Sequence, residues 1–246
     1  MRSGKIYVVG MGPGNEEHMS IRCRKVLSEV EYIVGYKKYI QLIKHLPNIS
    51  GECIEGVMKK EVDRCREALD LAEKGHSVAL VSSGDSGIYG MAGLVLELIE
   101  HEVRSVDCEI IPGITAAHAA ASRLGAPIMH DSAYISLSNL LTEWELIEKR
   151  IKCASEGDFV ITLYNPKSKG RPDLIDKARD IMLKFKSAQT PVGIVKKAMR
   201  DGETIVITTL EDMLKESIDM MTVIIVGNSR TKIFGQSMVT PRGYEI

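Results

Sequence analysis

The chain has 246 residues, 44% of them apolar and 26% charged, with 32 Lys and Arg against 33 Asp and Glu. That length holds one large domain or two compact ones, and the apolar share excludes disorder as the main theme. A net charge of −1 lacks the one-sided basic excess of a general nucleic-acid binder, so no nucleic-acid partner is expected.

Cys23, Cys53, Cys65, Cys108 and Cys153 are scattered, odd in number and without a C-x-x-C pair. The pattern argues against a disulfide framework and a structural zinc site, and points to a reducing, cytoplasmic compartment. Met1–Lys5 runs into a strand-like segment with no signal-peptide core. The longest apolar runs, such as Val78–Val81 and Thr222–Val226, are too short to span a bilayer, so no membrane partner is expected.

In chain order, Ile6–Val9 reads as a buried strand, followed by the tight loop Gly10-Met11-Gly12-Pro13-Gly14. A helix is expected from Met19 to Val30 and a second strand at Tyr32–Val34. Met58, Val62, Cys65, Leu69 and Ala72 form an apolar stripe at helical spacing on a charged segment, which Gly75 is placed to end. Ser77–Ser82 is a strand, Tyr89–Ile99 a helix, Cys108–Ile111 a strand and Ile114–Ser122 an Ala-rich helix.

Gly125-Ala126-Pro127 marks the best boundary, and the pattern then restarts. Tyr134–Leu137 and Phe159–Leu163 read as strands, with a helical stripe of Trp144, Ile147, Ile151 and Ala154 between them. Pro172–Phe185 reads as a helix with Pro172 in its first turn, before strands at Pro191–Val195, Thr204–Thr208 and Thr222–Val226. The alternation predicts an α/β protein with a mainly parallel sheet, divided into an N-terminal domain over 1–122 and a C-terminal domain over 123–246.

Ligands of open α/β sheets bind beyond the carboxyl ends of the strands, so the loops there carry the weight. Gly10–Gly14 is not a dinucleotide fingerprint. Its spacing is G-x-G-x-G with a proline that has no N–H for a phosphate, and the acidic Glu31 precedes the second strand instead of ending it. A tight structural turn and a ligand loop both fit it. In Ser83-Gly84-Asp85-Ser86-Gly87-Ile88-Tyr89-Gly90, glycine permits close backbone approach and Asp85 offers a carboxylate to ribose hydroxyls, or serves as a turn or cap residue. In Pro112-Gly113-Ile114-Thr115-Ala116-Ala117, Thr115 is a helix cap or a ligand hydroxyl.

No G-x-S-x-G elbow, H-E-x-x-H pair or EF-hand loop occurs, so neither a nucleophilic triad nor a protein-held metal is expected. His130-Asp131 is the one adjacent His-Asp pair. The basic groups Lys37-Lys38, Lys59-Lys60, Lys167/Lys169/Arg171 and Lys196-Lys197 with Arg200 read as solvated surface, or as partners for a many-carboxylate substrate.

Taken together and in this order, G-x-G-P-G, S-G-D-S-G-I-Y-G and P-G-I-T-A-A resemble the tetrapyrrole (corrin/porphyrin) methyltransferase family. Leu124–Pro127, Ile128–Asp131, Ile135–Thr142, Leu163–Lys169, Ile225–Ser229 and Thr240–Tyr244 narrow the resemblance to its precorrin-3B C-17-methyltransferase and cobalt-factor III branch. It covers essentially the whole chain. It implies two α/β domains with an active-site cleft between them, a homodimer, and S-adenosylmethionine as co-substrate with no protein-bound metal. The cofactor contacts it implies are Pro13, Ser83, Gly84, Asp85, Ile88, Thr115 and Ala116, with Asn165 and Ala198 by looser correspondence.

The reaction implied is methylation of a corrin precursor at C-17 with ring contraction, the substrate being a tetrapyrrole with or without cobalt. Tyr36, Lys38, His130 and Asp131 are candidates for proton transfer by location. The resemblance departs from uroporphyrinogen III methyltransferases, which carry Tyr-Asp where this chain has Gly35-Tyr36. The alternatives are a related methyltransferase acting on a different corrin carbon or on a diphthamide or ribosomal-RNA target, a nicotinamide-dependent oxidoreductase, and a non-catalytic corrinoid carrier.

Overall fold

The computed structural model describes residues 4–57, 60–168 and 170–245. Met58, Lys59 and Lys169, which belong to the stripe and the basic groups read from sequence, lie outside the described residues. The chain divides into two compact units, Met1–Ala116 and Ala117–Ile246. The expected boundary at 122/123 falls inside helix α5 (Ala116–Leu124).

The first unit is built on β1 (Lys5–Gly10), β2 (Tyr32–Tyr36), β3 (Glu52–Gly56), β4 (Ser77–Ser82) and β5 (Asp107–Ile111). They form one sheet in the order β3-β2-β4-β1-β5, with every pairing parallel. Parallel neighbours need crossovers, and helices supply them. These are α1 (Ile21–Glu29), α2 (Lys37–Ile43), α3 (Glu61–Glu73) and α4 (Ala92–His101).

Strand side chains alternate between faces, so each strand feeds two cores. Val9, Ile33, Ala79 and Val81 pack with Cys23, Val26 and Leu27 of α1 and Ile40 and Ile43 of α2. Their neighbours Ile6, Val8, Val34, Val78 and Leu80 pack with Cys65, Ala68, Leu69 and Ala72 of α3 and Val95 and Leu98 of α4. Burying one such aliphatic side chain contributes about 1.5–3 kcal/mol. Ser20 caps α1, its Oγ accepting from the Cys23 N–H at 3.0 Å. Beyond α3, Gly75 turns the chain at φ 97°.

The second unit has a five-stranded sheet in the order β10-β9-β11-β8-β7. Its strands are β7 (Ser132–Ser136), β8 (Val160–Tyr164), β9 (Pro191–Lys196), β10 (Thr204–Thr209) and β11 (Thr222–Val226). The mainly parallel sheet expected from sequence is that of the first unit; this second sheet is mixed, with β7 and β8 parallel and β8–β11, β11–β9 and β9–β10 antiparallel. Among the described residues α6 (Trp144–Glu156) and α7 (Leu174–Met182) follow β7 and β8, and no α-helix follows β9 or β10. β9 turns back into β10 as a hairpin, whereas β10 and β11 run the same way on either side of β9. Ile147, Ile151, Ile175, Ala178 and Met182 of those helices pack on Ile161, Leu163, Ile194 and Ile224.

A small sheet, β12-β13-β6, joins β12 (Lys232–Phe234) and β13 (Ser237–Val239) to β6 (Gly125–Ala126). Thr240 Oγ1 donates to the Pro127 carbonyl at 2.6 Å beside it.

Other differences from the sequence reading are local. Pro172 stands outside α7, whose N-cap is Asp173. The helix expected at Tyr89–Ile99 starts at Ala92, because the preceding residues form a turn in which the Ala92 N–H donates to Ser86 O. The sequence reading missed α2, which follows β2 directly with no side-chain cap. It also missed β3, an edge strand with no fully buried residue.

Candidate active site

The carboxyl ends of β4, β1 and β5, neighbours in the sheet, bring the three glycine-bearing loops together. Gly12 and Gly84 exchange backbone hydrogen bonds in both directions, at 3.0 and 2.7 Å. Both have φ near +73°, a conformation that side chains resist. A Cβ on Gly113 would lie 2.3 Å from Gly84 O and 2.5 Å from Gly10 O, so the third loop touches the other two through bare backbone.

Asp85 clamps this arrangement. Its Oδ1 accepts from the Gly87 and Ile88 N–H groups at 2.8 and 3.1 Å, and its Oδ2 accepts from the Gly113 N–H at 3.0 Å. Buried Ser86 adds a bond from Oγ to Ile111 O at 3.3 Å. Thr115 is 3% exposed and Pro13 is buried, whereas Ser83, Ile88 and Ala116 are half-buried. Seven of the expected cofactor contacts, Pro13, Ser83, Gly84, Asp85, Ile88, Thr115 and Ala116, thus lie in this one loop cluster.

In the second unit, β7, β8 and β9 run in the same direction, so their carboxyl ends share an edge. Asn165 follows β8 at φ 51° and donates from Nδ2 to Ser136 Oγ at 2.9 Å, joining the ends of β8 and β7. Ala198 lies in the turn after β9, between Lys197 and Met199, both at positive φ. Glu203 holds that turn by accepting from the Met199 N–H at 2.7 Å and from Arg123 Nε.

His130 and Asp131 are not brought to that edge. They precede β7, where Asp131 O accepts from the Val160 N–H that starts β8. The Asp131 N–H donates to His130 Nδ1 at 2.8 Å. Asp131 Oδ2 stands 3.4 Å from the same nitrogen, so the pair is a local contact between neighbours. Lys38 is exposed on α2.

Tyr36 is placed differently. With Tyr39, Glu61, Arg64, Val81–Ser83 and Tyr89–Met91 it lines a cavity of about 230 Å³ at the ends of β2 and β4. The Tyr36 and Tyr39 rings meet edge to face at 5.3 Å. Arg64 was not singled out in the sequence because it was counted with the solvated face of the stripe, yet it is only 6% exposed. Its position immediately before the stripe residue Cys65 is the one signal that marked it.

Most of the remaining basic groups are engaged at the surface. Lys37 and Lys44 approach Glu55, Lys60 pairs with Asp63 and Lys196 with Asp219. Among the described residues no cluster of His, Cys, Asp or Glu is arranged to hold a metal ion, and no helix is long and apolar enough to cross a membrane.

Two α/β units, with glycine-bearing loops gathered at the carboxyl edge of the parallel sheet of the first, define the class of an α/β enzyme fold. The chain belongs to the Tetrapyrrole (Corrin/Porphyrin) Methylases, whose family model matches residues 5–214. It is 50% identical to the probable cobalt-factor III C(17)-methyltransferase of Salmonella typhimurium, over 98% of this chain and 100% of that protein. It is also 50% identical to the cobalt-factor III methyltransferase of Priestia megaterium, covering 98% of this chain but 45% of that longer protein. Among solved structures, the methyltransferase CobJ superposes with a TM-score of 0.92 at 35% identity, covering 97% of this chain and 100% of that one.

Proposed function

We propose that this chain transfers a methyl group from S-adenosylmethionine to C-17 of a corrin precursor, with ring contraction, in cobalamin biosynthesis. The observation that carries the reading is the cluster of three loops at the ends of β4, β1 and β5, clamped by Asp85. The cofactor is proposed to rest on Pro13, Ser83, Gly84, Asp85, Ile88, Thr115 and Ala116, with Asn165 and Ala198 as contacts from the second unit. The names of the two relatives at 50% identity favour a cobalt-containing substrate.

Methyl transfer to an electron-rich ring carbon needs the acceptor in line with the methyl–sulfonium bond. Holding two reactants in that geometry supplies much of the acceleration, and excluding water leaves the sulfonium poorly solvated and reactive. The chain accordingly needs no strong nucleophile. Contraction also moves protons, and the proposed candidates are Tyr36, Lys38, His130 and Asp131. Tyr36 is the preferred one because it lines a cavity. The protein is further proposed to act in the cytoplasm, in keeping with five cysteines that form no disulfide, and as a homodimer.

The test is anaerobic incubation with S-adenosylmethionine and cobalt-factor III, with precorrin-3B in parallel. A methylated, ring-contracted product from cobalt-factor III, identified by mass and by the position of the new methyl in NMR, is expected. A folded protein that binds S-adenosylhomocysteine but methylates neither compound would overturn the C-17 reading. One that does not bind S-adenosylhomocysteine would overturn the methyltransferase reading itself.

A further inference from the structure

We propose that Arg64 anchors a peripheral carboxylate of the tetrapyrrole in the cavity between β2, β4 and α3; the proposal rests on the tetrapyrrole reading above. Arginine is expensive to bury, and a guanidinium taken from water is normally matched by several acceptors. Arg64 is 6% exposed, but its hydrogen bonding among the described residues is one bond, from Nη1 to Val57 O at 3.0 Å. Glu61, which lines the same cavity, forms an ion pair with it, Oε1 standing 3.8 Å from Nη2, a separation too long for a hydrogen bond, so the fork of donors is not filled by that carboxylate. Five N–H donors in a planar fork suit a carboxylate, which can take two of them at once.

The backbone makes room for this group. A Cβ on Gly56, the last residue of β3, would lie 2.9 Å from Arg64 Cδ and 3.0 Å from Nη1. The arginine stem therefore lies across a glycine, and the guanidinium lies among the residues that line the cavity. The volume of about 230 Å³ is below the roughly 300–1,000 Å³ of pockets that enclose a whole drug-sized ligand. It suits an acetate or propionate arm of the macrocycle, with the ring edge that bears it held at the mouth beside Tyr36. The tyrosine-rich wall, Tyr36, Tyr39 and Tyr89, offers apolar ring surface to the methylenes of such an arm and phenol groups near its oxygens.

The carboxylate of the methionine tail of S-adenosylmethionine is the other source of this chemistry, and the experiment separates the two. Arg64→Met removes the charge at similar volume, Arg64→Lys keeps the charge without the fork, and Gly56→Ala pushes the guanidinium aside. For each, the affinity for S-adenosylhomocysteine, the affinity for uroporphyrin III (a stable tetrapyrrole with a carboxylate on every arm) and KM and kcat with cobalt-factor III are measured. Uroporphyrin III affinity and KM are expected to weaken about tenfold or more in Arg64→Met and less in Arg64→Lys, with S-adenosylhomocysteine affinity and kcat within about twofold.

Unchanged uroporphyrin III binding and KM in a folded Arg64→Met protein would overturn the proposal. So would a loss confined to S-adenosylhomocysteine, which would assign the cavity to the methionine tail. Should Arg64→Met fail to fold, Gly56→Ala with wild-type tetrapyrrole affinity would overturn it equally. A wild-type protein that binds S-adenosylhomocysteine but no tetrapyrrole would instead overturn the parent reading, and this subsite with it.

Discussion

The Asp85 carboxylate accepts the Gly113 N–H at 3.0 Å, and so ties the loop after β4 to the loop after β5. Its other oxygen caps the turn at Gly87 and Ile88. A carboxylate engaged by three backbone N–H groups fixes the loops against each other, and the proposed cofactor site rests on them. Asp85→Ala should lower stability by about 1–3 kcal/mol and weaken S-adenosylhomocysteine binding tenfold or more. Gly113→Ala, which keeps Asp85 but forces the loops apart, should weaken the same binding at a stability cost of about 1–3 kcal/mol. Calorimetric titration and thermal melts measure both. Full affinity in Gly113→Ala would mean that the loop contact does not shape the cofactor site.

Tyr36 and His130 separate cleanly as proton-transfer candidates. Tyr36 lines the cavity of the first unit, whereas His130 lies where β7 begins, away from the strand ends that carry Asn165 and Ala198. Tyr36→Phe is expected to lower the yield of ring-contracted product at least tenfold with S-adenosylhomocysteine affinity retained. His130→Ala is expected to keep that yield within about twofold. The reverse pattern would return the role to the histidine.

Acid should weaken the second unit through Asp158. Burial raises its carboxyl, but hydrogen bonds from Ser229 Oγ and N–H, together with Lys186, outweigh that and hold it below the usual carboxylate value. A folded pKa below the unfolded one contributes stability that is present above the unfolded value and lost as pH falls through the folded one. The window therefore opens below about pH 4. Asp158→Asn should cost about 1 kcal/mol at neutral pH, a small figure because the carboxylate is partly solvated, and should flatten the acid limb of a stability–pH curve. An unchanged acid limb would show that another carboxylate governs it.

Thiol reactivity should follow burial. Cys153 is exposed, whereas burial pushes Cys23 up to about 12 and Cys65 up to about 11. Because the thiolate is the reactive form, brief iodoacetamide treatment at neutral pH should label Cys153 first and leave Cys23 and Cys65 intact until the protein is unfolded. Peptide mass spectrometry reads the order directly, and early labelling of Cys65 would show that α3 opens locally.

Strands with strong β-branched runs, such as β4 and β11, were legible to the residue, because continuous apolar runs bounded by turn signals leave little choice of register. β3 was not, because an edge strand with Glu52 and Glu55 buries too little to show a pattern. Strand direction in the second unit was hidden for another reason. The reversal comes where β9 turns back into β10 through the short turn after Lys196, and β11 then returns on the other side of β9 in the direction of β10. The loop motifs marked three segments that the structure brings together, since glycine and aspartate there answer to local backbone geometry. Arg64 was illegible as a site residue because its burial depends on Gly56, which the chain reaches from a different strand.

The pairing of β13 with β6 carries a lesson about synthesis. The first unit holds all five of its strands by residue 111, so it can finish folding while the ribosome is still translating the rest. The second cannot close its small sheet until Val239 has emerged to meet Ala126. The nascent chain thus passes through a long interval with one half complete and the other waiting, its buried strands exposed to chaperones. Slow translation would protect the first half and prolong the vulnerability of the second.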